Sequence, residues 1–185
     1  MIYPIVVFGD PVLRKKAVDI EKGSVDVKEL SKNLFETMEA ANGIGIAAPQ
    51  VGMPIRMFVV DGRPLEDEEG MEAFRKVFIN AEIIEETGDE WKFEEGCLSI
   101  PGVREDVSRP AHVTIHYYDE NWEEHEETFD GMKARIIQHE YDHIEGILFT
   151  DHVSPLKKRM IKGKLSNISK GKFKADYRTK IPAKK

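Results

Sequence analysis

The sequence has 185 residues, 41% of them hydrophobic and 33% charged, with a formal net charge of −7, which suits one domain or a domain with a tail. No stretch approaches the run of about 18 apolar residues that a spanning helix needs, so we expect no membrane partner. One cysteine cannot form an internal disulfide and the opening residues have no basic region ahead of their short apolar run, so we expect a cytoplasmic protein rather than a secreted one.

The first clear helical pattern spans residues 25–42. Apolar residues recur along one stripe of a helix, and Ser24 and Asp26 are candidate N-caps. Two segments rich in β-branched and aromatic residues, 55–60 and 77–84, are predicted strands, and the polar, acidic stretch between them is expected to form a surface loop or a short helix.

The small-residue segment 43–52 lies between that helix and the first strand. Its Gly43-x-Gly45-x-x-Ala48 pattern formally matches a dinucleotide-binding fingerprint. The context argues against nucleotide binding, because the segment follows a helix rather than a strand and Pro49 disrupts the helix that should open there. We instead expect a loop that lies close to a ligand, with Gln50 offering an amide donor.

The second half of the chain begins with a strand at residues 111–118, where apolar and polar residues alternate. A turn then leads to a second strand near 125–129, as in a hairpin. The clearest helix runs from Asp130, a candidate cap, to Glu145, and Gly146 can end it. The predicted fold class is therefore α+β, with antiparallel strands packed around a central helix.

That central helix carries the strongest chemical motif in the sequence, His139-Glu140-Tyr141-Asp142-His143. Residues four apart on a helix lie one above the other, so both imidazoles can reach one metal ion. Glu140 is offset by one position and can act as a base towards water held by the metal. The alternative is that His139 and His143 are partly buried structural residues that bind no metal.

A catalytic metal needs a third protein ligand. The chain follows the protease pattern HExxHxxGxxH as far as Gly146 but has Phe149 at the last position, and no glutamate follows Glu145. His152 lies nearby without a spacing that places it on the metal. The remaining candidate is Cys97, because a thiolate with two imidazoles leaves a fourth position for water. A lone cysteine is more often a small buried hydrophobic residue.

The chain ends in a strongly basic segment. Residues 154–185 carry 12 basic residues and one acidic residue, whereas residues 1–153 carry 15 basic and 33 acidic residues. Ser154-Pro155 is a favoured start for a helix. We therefore expect a domain of residues 1–153 followed by a basic C-terminal helix or tail of residues 154–185. The charge suits a polyanion, and a solvated extension is the alternative.

Three segments together, GIGIAAPQVG (43–52), EGCLSIPG (95–102) and QHEYDHIEG (138–146), resemble the signature of the peptide deformylase family. The resemblance implies removal of the formyl group from the N-terminal formyl-methionine of new polypeptides. It also implies an α+β fold with the HExxH helix inside antiparallel sheets. The family's metal in cells is usually ferrous iron, with zinc, nickel or cobalt substituting.

The resemblance also implies residue roles. Cys97, His139 and His143 would bind one divalent metal, and Glu140 would be the general acid/base. The Gln50 side chain and the Leu98 backbone N–H would stabilise the oxyanion.

Further positions of the family pattern concern the substrate and the region around the site. Backbone around Ile44, Gly45 and Gly96 would pair with an extended substrate. Arg104 and Arg109 match basic positions near the site, and a surface salt bridge would explain either one equally well.

Selectivity and partners follow from the same resemblance. We expect walls of the methionine pocket on the helix face that bears Met132 and Ile136, although Met132 could instead belong to the core. Relatives with a C-terminal extension are thought to dock it on the ribosome, and the charge of residues 154–185 suits RNA phosphate. We expect no DNA partner.

Two competing functions stay open at this point. A zinc endopeptidase or another amidase would also use HExxH, but the missing downstream ligand counts against it. A catalytically silent binding module would keep the fold while losing Glu140, Gln50 or a metal ligand, and all of these are present.

Overall fold

The computed structural model describes residues 1–184, so Lys185, the last residue of the predicted tail, lies outside the described residues. Short 3₁₀ helices lie at Pro11–Arg14, Ala48–Val51 and Phe149–Asp151. The strands and α-helices are β1 (Ile5–Val6), α1 (Val27–Ala40), β2 (Gly45–Ala47), β3 (Met57–Asp61), β4 (Arg75–Cys97), β5 (Ile100–Tyr118), β6 (Glu124–Asp130), α2 (Gly131–Ile144), α3 (Pro155–Ser169) and β7 (Thr179–Lys180).

Strands β2 to β6 form one antiparallel sheet in the order β2-β3-β4-β5-β6, so β2 is an edge strand. Strands β1 and β7 pair in parallel. Helix α2 contacts β2, β3, β5 and β6, which places it against the sheet. The α+β class and the central position of the HExxH helix are therefore confirmed. No helix among residues 1–184 is both long and apolar enough to cross a bilayer.

Helix α1 forms as the sequence pattern predicts. The Asp26 side chain accepts a hydrogen bond from the Glu29 N–H at 3.1 Å, which satisfies one free donor of the first turn. Leu30, Leu34 and Met38 are buried on one face and pack in a cluster with residues of β2, β3 and β4. Ser24 is not the cap: its hydroxyl donates to the Glu21 carbonyl instead.

The β4–β5 hairpin is much longer than the sequence pattern predicts. β4 has 23 residues and β5 has 19, whereas the prediction covered only 77–84 and 111–118. Between these segments, residues 85–90 of β4 are polar and exposed and show no apolar alternation, whereas in β5 the buried Val103, Val107 and Arg109 alternate with exposed residues. Cys97 pairs with Ile100 where the hairpin turns, which fixes the cysteine at its tip.

Two local predictions need correction, and a third is confirmed. Asp130 occupies the N-cap position of α2, but its side chain makes no capping hydrogen bond. Part of the predicted loop 43–52 is a strand, because β2 pairs with β3 from Gly45↔Val60 to Ala47↔Phe58. Gly146 does end α2, since its φ of 74° is left-handed and a Cβ there would lie 2.7 Å from the Arg14 carbonyl oxygen.

Helix α3 begins where the sequence indicates, with the Ser154 hydroxyl accepting from the Lys157 N–H at 3.3 Å. Ile161 and Ile168 are its buried residues and pack against the body of the molecule. The chain then returns so that β7 pairs with β1. The division at residues 153 and 154 stays a prediction.

Candidate metal centre

The structure brings together the three residues proposed as metal ligands. Cys97 sits at the end of β4, and His139 and His143 lie one turn apart on α2. One donor atom from each lies within 4.8 Å of the others, and Cys97 Sγ is 3.3 Å from His143 Nε2. Ligands of a tetrahedral ion at usual metal–sulfur and metal–nitrogen distances lie about 3.5 Å apart. The donor set and its spacing therefore fit one divalent transition metal.

His139 is oriented by a carboxylate that the sequence analysis did not assign a role. The His139 Nδ1 atom lies 2.8 Å from Glu95 Oε1, which leaves Nε2 facing the other ligands. Glu95 also accepts hydrogen bonds from Arg109 at 2.7 and 3.0 Å and from Arg135 at 2.8 Å. Burial acts to raise the pKa of Glu95, but the bonds from His139 and Arg109 outweigh burial and hold that pKa far below its usual range.

The two arginines that match the family pattern have different environments. Arg109 is buried and also donates to Asp142 at 2.9 Å, so it belongs to the network under the site and not to the surface. Arg104 is exposed and pairs with the equally exposed Glu94, as expected for a surface salt bridge. The only sequence signal for Glu95 was its place in the EGC segment.

Glu140 lies inside the same region and is fully enclosed. Its Oε2 atom is buried and has no hydrogen-bond partner among the described residues. Burial raises the pKa of Glu140 to about 7, and a carboxyl group with that pKa can accept and donate a proton at neutral pH. A Cβ at Gly45 would lie 2.5 Å from Glu140 Oε1, so only glycine lets β2 come this close.

Gln50 is held in one orientation by the small-residue segment. Its Oε1 accepts from the Ala47 N–H at 2.9 Å, and its Nε2 lies 3.2 Å from Ser99 Oγ and 3.5 Å from Cys97 Sγ. The amide donor therefore faces the metal centre. Ser99 is fully buried and was not identified from the sequence.

One cleft of about 620 Å³ is lined by most of these groups, whereas Ser99 and His143 are buried and are not among its lining residues. Its walls include Cys97, Leu98, His139, Glu140 and Gln50. The predicted substrate positions also line it, namely Ile44, Gly45, Gly96, Met132 and Ile136. Residues 174–177 of the C-terminal segment form part of the same wall, a feature that the sequence pattern did not indicate.

Other candidate ligands lie elsewhere. His152 hydrogen-bonds Asp142 at 2.8 Å and is outside the metal cluster. Phe149, which replaces the third histidine of the protease pattern, stacks on His139 with ring centroids 6.0 Å apart. A second cluster, Asp119, Glu123 and His125, is satisfied by its own hairpin turn, because Asp119 accepts from the Glu123 N–H and contacts His125.

Comparison with known proteins agrees with this geometry. A family model described as polypeptide deformylase matches residues 2–159. A peptide deformylase of Cytophaga hutchinsonii is 63% identical over 185 residues, covering 100% of both chains, and one of Christiangramia forsetii is 58% identical, covering 98% of this chain and 97% of the relative.

Solved structures give the same result. A plant peptide deformylase has a TM-score of 0.82 at 35% identity, covering 91% of this chain and 90% of that one. The peptide deformylase of Thermotoga maritima has a TM-score of 0.76 at 39% identity, covering 84% of this chain and 99% of that one. This chain therefore belongs to the peptide deformylase family of hydrolases.

Proposed function

We propose that the enzyme removes the formyl group from the N-terminal formyl-methionine of newly made polypeptides and releases formate, in the cytoplasm. The observation that carries this proposal is the convergence, beside one cleft, of a cysteine sulfur and two imidazoles with a buried carboxyl group and an amide donor. This arrangement supplies the ligands, the proton carrier and the oxyanion donor that amide hydrolysis needs.

Cys97, His139 and His143 are the residues that would hold a divalent metal, with ferrous iron as the proposed metal in cells and zinc, nickel or cobalt as substitutes. When bound, such an ion lowers the pKa of water from 15.7 to about 7 and polarises a carbonyl oxygen. Glu95 keeps the His139 ring in place through its hydrogen bond to Nδ1.

Glu140 is the proposed general acid/base. Its unpartnered Oε2 atom can accept a proton from the attacking water and deliver it to the departing amine. The Gln50 Nε2 donor and the Leu98 N–H are the proposed stabilisers of the oxyanion, and one such donor is worth about 3–4 kcal/mol in transition-state stabilisation. The bond from Ala47 to Gln50 Oε1 supports this, because it keeps Nε2 facing the site.

Substrate binding is proposed to extend the sheet. Because β2 is an edge strand, the chain at Ile44 and Gly45 is proposed to pair with an extended peptide through backbone groups other than the Ile44 carbonyl, which accepts from the Asp61 N–H at 2.8 Å. Gly96 lines the cleft at the tip of the hairpin. Met132 and Ile136 line it from α2 and supply an apolar surface for the methionine side chain.

The basic helix α3 is the proposed contact with the ribosome. Its exposed residues Lys158, Arg159 and Lys162 face solvent, as a surface that binds RNA phosphate requires. This docking would place the cleft near polypeptides as they emerge.

The test measures formate release from formyl-Met-Ala-Ser by anaerobically purified protein of known metal content. We expect turnover by the native chain and, for Glu140→Gln, the same metal content with a loss of kcat of about 100-fold or more, since a positioned proton carrier contributes 10²–10⁴-fold. Glu126→Gln, an exposed carboxylate on β6, is the matched control and should keep full activity. Cleavage of internal peptide bonds without formate release would instead support an endopeptidase.

A further inference from the structure

The C-terminal segment of residues 173–180 lies against the body of the molecule and ends in strand β7. Alternate residues face inwards and are half-buried, namely Phe173, Ala175, Tyr177 and Thr179, while those between them are exposed. The Ile5 N–H donates to the Arg178 carbonyl at 2.9 Å, and the Val7 N–H donates to the Lys180 carbonyl at 3.2 Å. The segment is therefore fixed at its far end by β1.

Tyr177 connects this segment to the metal centre. Its hydroxyl donates to the Leu98 carbonyl oxygen at 2.7 Å, across 79 positions of sequence. Its ring packs in the same hydrophobic cluster as Leu98. On the other side, the Leu98 side chain lies over Gly43, where a Cβ would be 2.8 Å from Leu98 Cδ1. The turn at Leu98 is thus held between α1's C-terminal end and Tyr177.

That turn, residues 97–99, carries three groups of the site. Cys97 provides the proposed sulfur ligand, Leu98 the proposed oxyanion N–H, and Ser99 the hydroxyl that lies 3.2 Å from Gln50 Nε2. The Ser99 carbonyl is fixed by the Phe8 N–H at 2.8 Å. Tyr177 binds the preceding carbonyl, that of Leu98, and the two hydrogen bonds together restrict rotation of the backbone at Leu98.

We propose that Tyr177 is a positioning residue for hydrolysis: by holding the Leu98 carbonyl it keeps the Leu98 N–H aimed at the oxyanion, so that the C-terminal segment completes the active site. This inference rests on the proposed function. A donor stabilises an oxyanion only when it lies about 2.7–3.1 Å from the place where charge develops, so a turn that can rotate loses catalysis before it loses substrate binding.

The test replaces the hydroxyl alone, with Tyr177→Phe. We expect kcat on formyl-Met-Ala-Ser to fall about tenfold, less than the 10²–10³-fold cost of deleting an oxyanion donor, while KM changes less than about twofold and metal content stays the same. In leucine-¹⁵N-labelled, zinc-loaded protein, the Leu98 amide should exchange with solvent faster than in the native chain.

Tyr3→Phe is the matched control, since its ring packs in the same cluster but its hydroxyl accepts from Asn33 Nδ2 of α1 at 3.2 Å rather than binding the turn. It should keep native kcat and native Leu98 exchange. A native kcat in Tyr177→Phe, an equal loss in Tyr3→Phe, or a loss explained by missing metal would overturn this inference alone. A native chain that releases no formate would overturn the proposed function and this inference with it.

Discussion

Glu95 shows how a single buried side chain organises the site. Its carboxylate accepts hydrogen bonds from Arg109 and Arg135 and orients His139. Removing one member of such a buried network leaves an uncompensated charge, which costs about 3–5 kcal/mol. The paired charges of two arginines and one carboxylate are therefore a structural requirement beneath the proposed metal ligands.

Gly45 is a position where one added methyl group should disturb the site. A methyl group in Gly45→Ala would lie 2.5 Å from Glu140 Oε1, so either β2 or the carboxyl group must move. Because about 1 Å of misplacement can cost about 100-fold in rate, we expect kcat to fall by about that factor with metal content unchanged.

Gly163→Ala provides the comparison, since a Cβ at this position of α3 meets no atom within 4 Å. It should leave kcat unchanged and raise the free energy of unfolding by about 1 kcal/mol, because alanine is the better helix former. Equal activity in Gly45→Ala and the native chain would contradict the close contact.

The ionised Asp61 side chain should make the free energy of unfolding depend on pH. Burial acts to raise its pKa, but hydrogen bonds from Arg63 and the charge of Arg75 hold that pKa below its usual value. A lowered pKa in the folded state adds stability that is present above the unfolded pKa of about 3.9 and is lost as pH falls through the folded pKa.

We therefore expect Asp61→Asn to lower the free energy of unfolding by about 1–3 kcal/mol at pH 7, the cost of a lost charged hydrogen bond. The difference from the native chain should shrink below about pH 4. Urea unfolding of both proteins, at pH 7 and below about pH 4, measures this difference in the free energy of unfolding. Asp67→Asn, an exposed residue of the polar loop, should change nothing at either pH. A difference for Asp61→Asn that does not depend on pH would refute the ionic explanation.

At the scale of elements, the β4–β5 hairpin and α2 differ in how far the sequence predicts them. The α2 pattern is local, because Ile136, His139 and His143 follow the period of a helix. In the hairpin, residues 85–90 of β4 are polar and exposed, so no apolar alternation predicts a strand there. In β5, Val103 and Val107 are buried, but the charged Glu105 lies between them and interrupts the apolar alternation.

The proposed binding of the ribosome by helix α3 depends on its exposed basic side chains. Replacing Lys158, Arg159 and Lys162 with glutamate reverses three exposed charges without touching the buried Ile161 and Ile168. We expect co-sedimentation with ribosomes to fall at least tenfold, and native binding to weaken steeply with salt. Formate release from a free peptide should stay within about twofold of the native rate. Unchanged co-sedimentation would exclude α3 as the contact.

At the scale of the whole molecule, the cleft joins segments that are far apart along the chain. Cys97 and His143 are 46 positions apart, and Tyr177 reaches Leu98 across 79. A metal that binds the folded chain alone adds stability, about 4 kcal/mol when the free metal exceeds its Kd about 1,000-fold.

We therefore expect chelation to lower the Tm and added metal to restore it. Cys97→Ala lacks the thiolate, so its Tm should respond little to either treatment. Differential scanning calorimetry, with added zinc and with a chelator, measures the Tm of the native chain and of Cys97→Ala. The same metal-dependent shift in Cys97→Ala would remove Cys97 from the ligand set.

Local periodicity and capping residues were enough to predict the helical register of His139, Glu140 and His143, the start of α3 at Ser154, and the α+β class. The family motifs also indicated Cys97 and Gln50. The folded structure was needed to show that Glu95 orients His139, that Ser99 contacts Gln50, and that Tyr177 returns to the cleft. Each of these contacts joins residues 44 or more positions apart, and no local pattern encodes which distant partner a polar group meets when the sheet and helices pack.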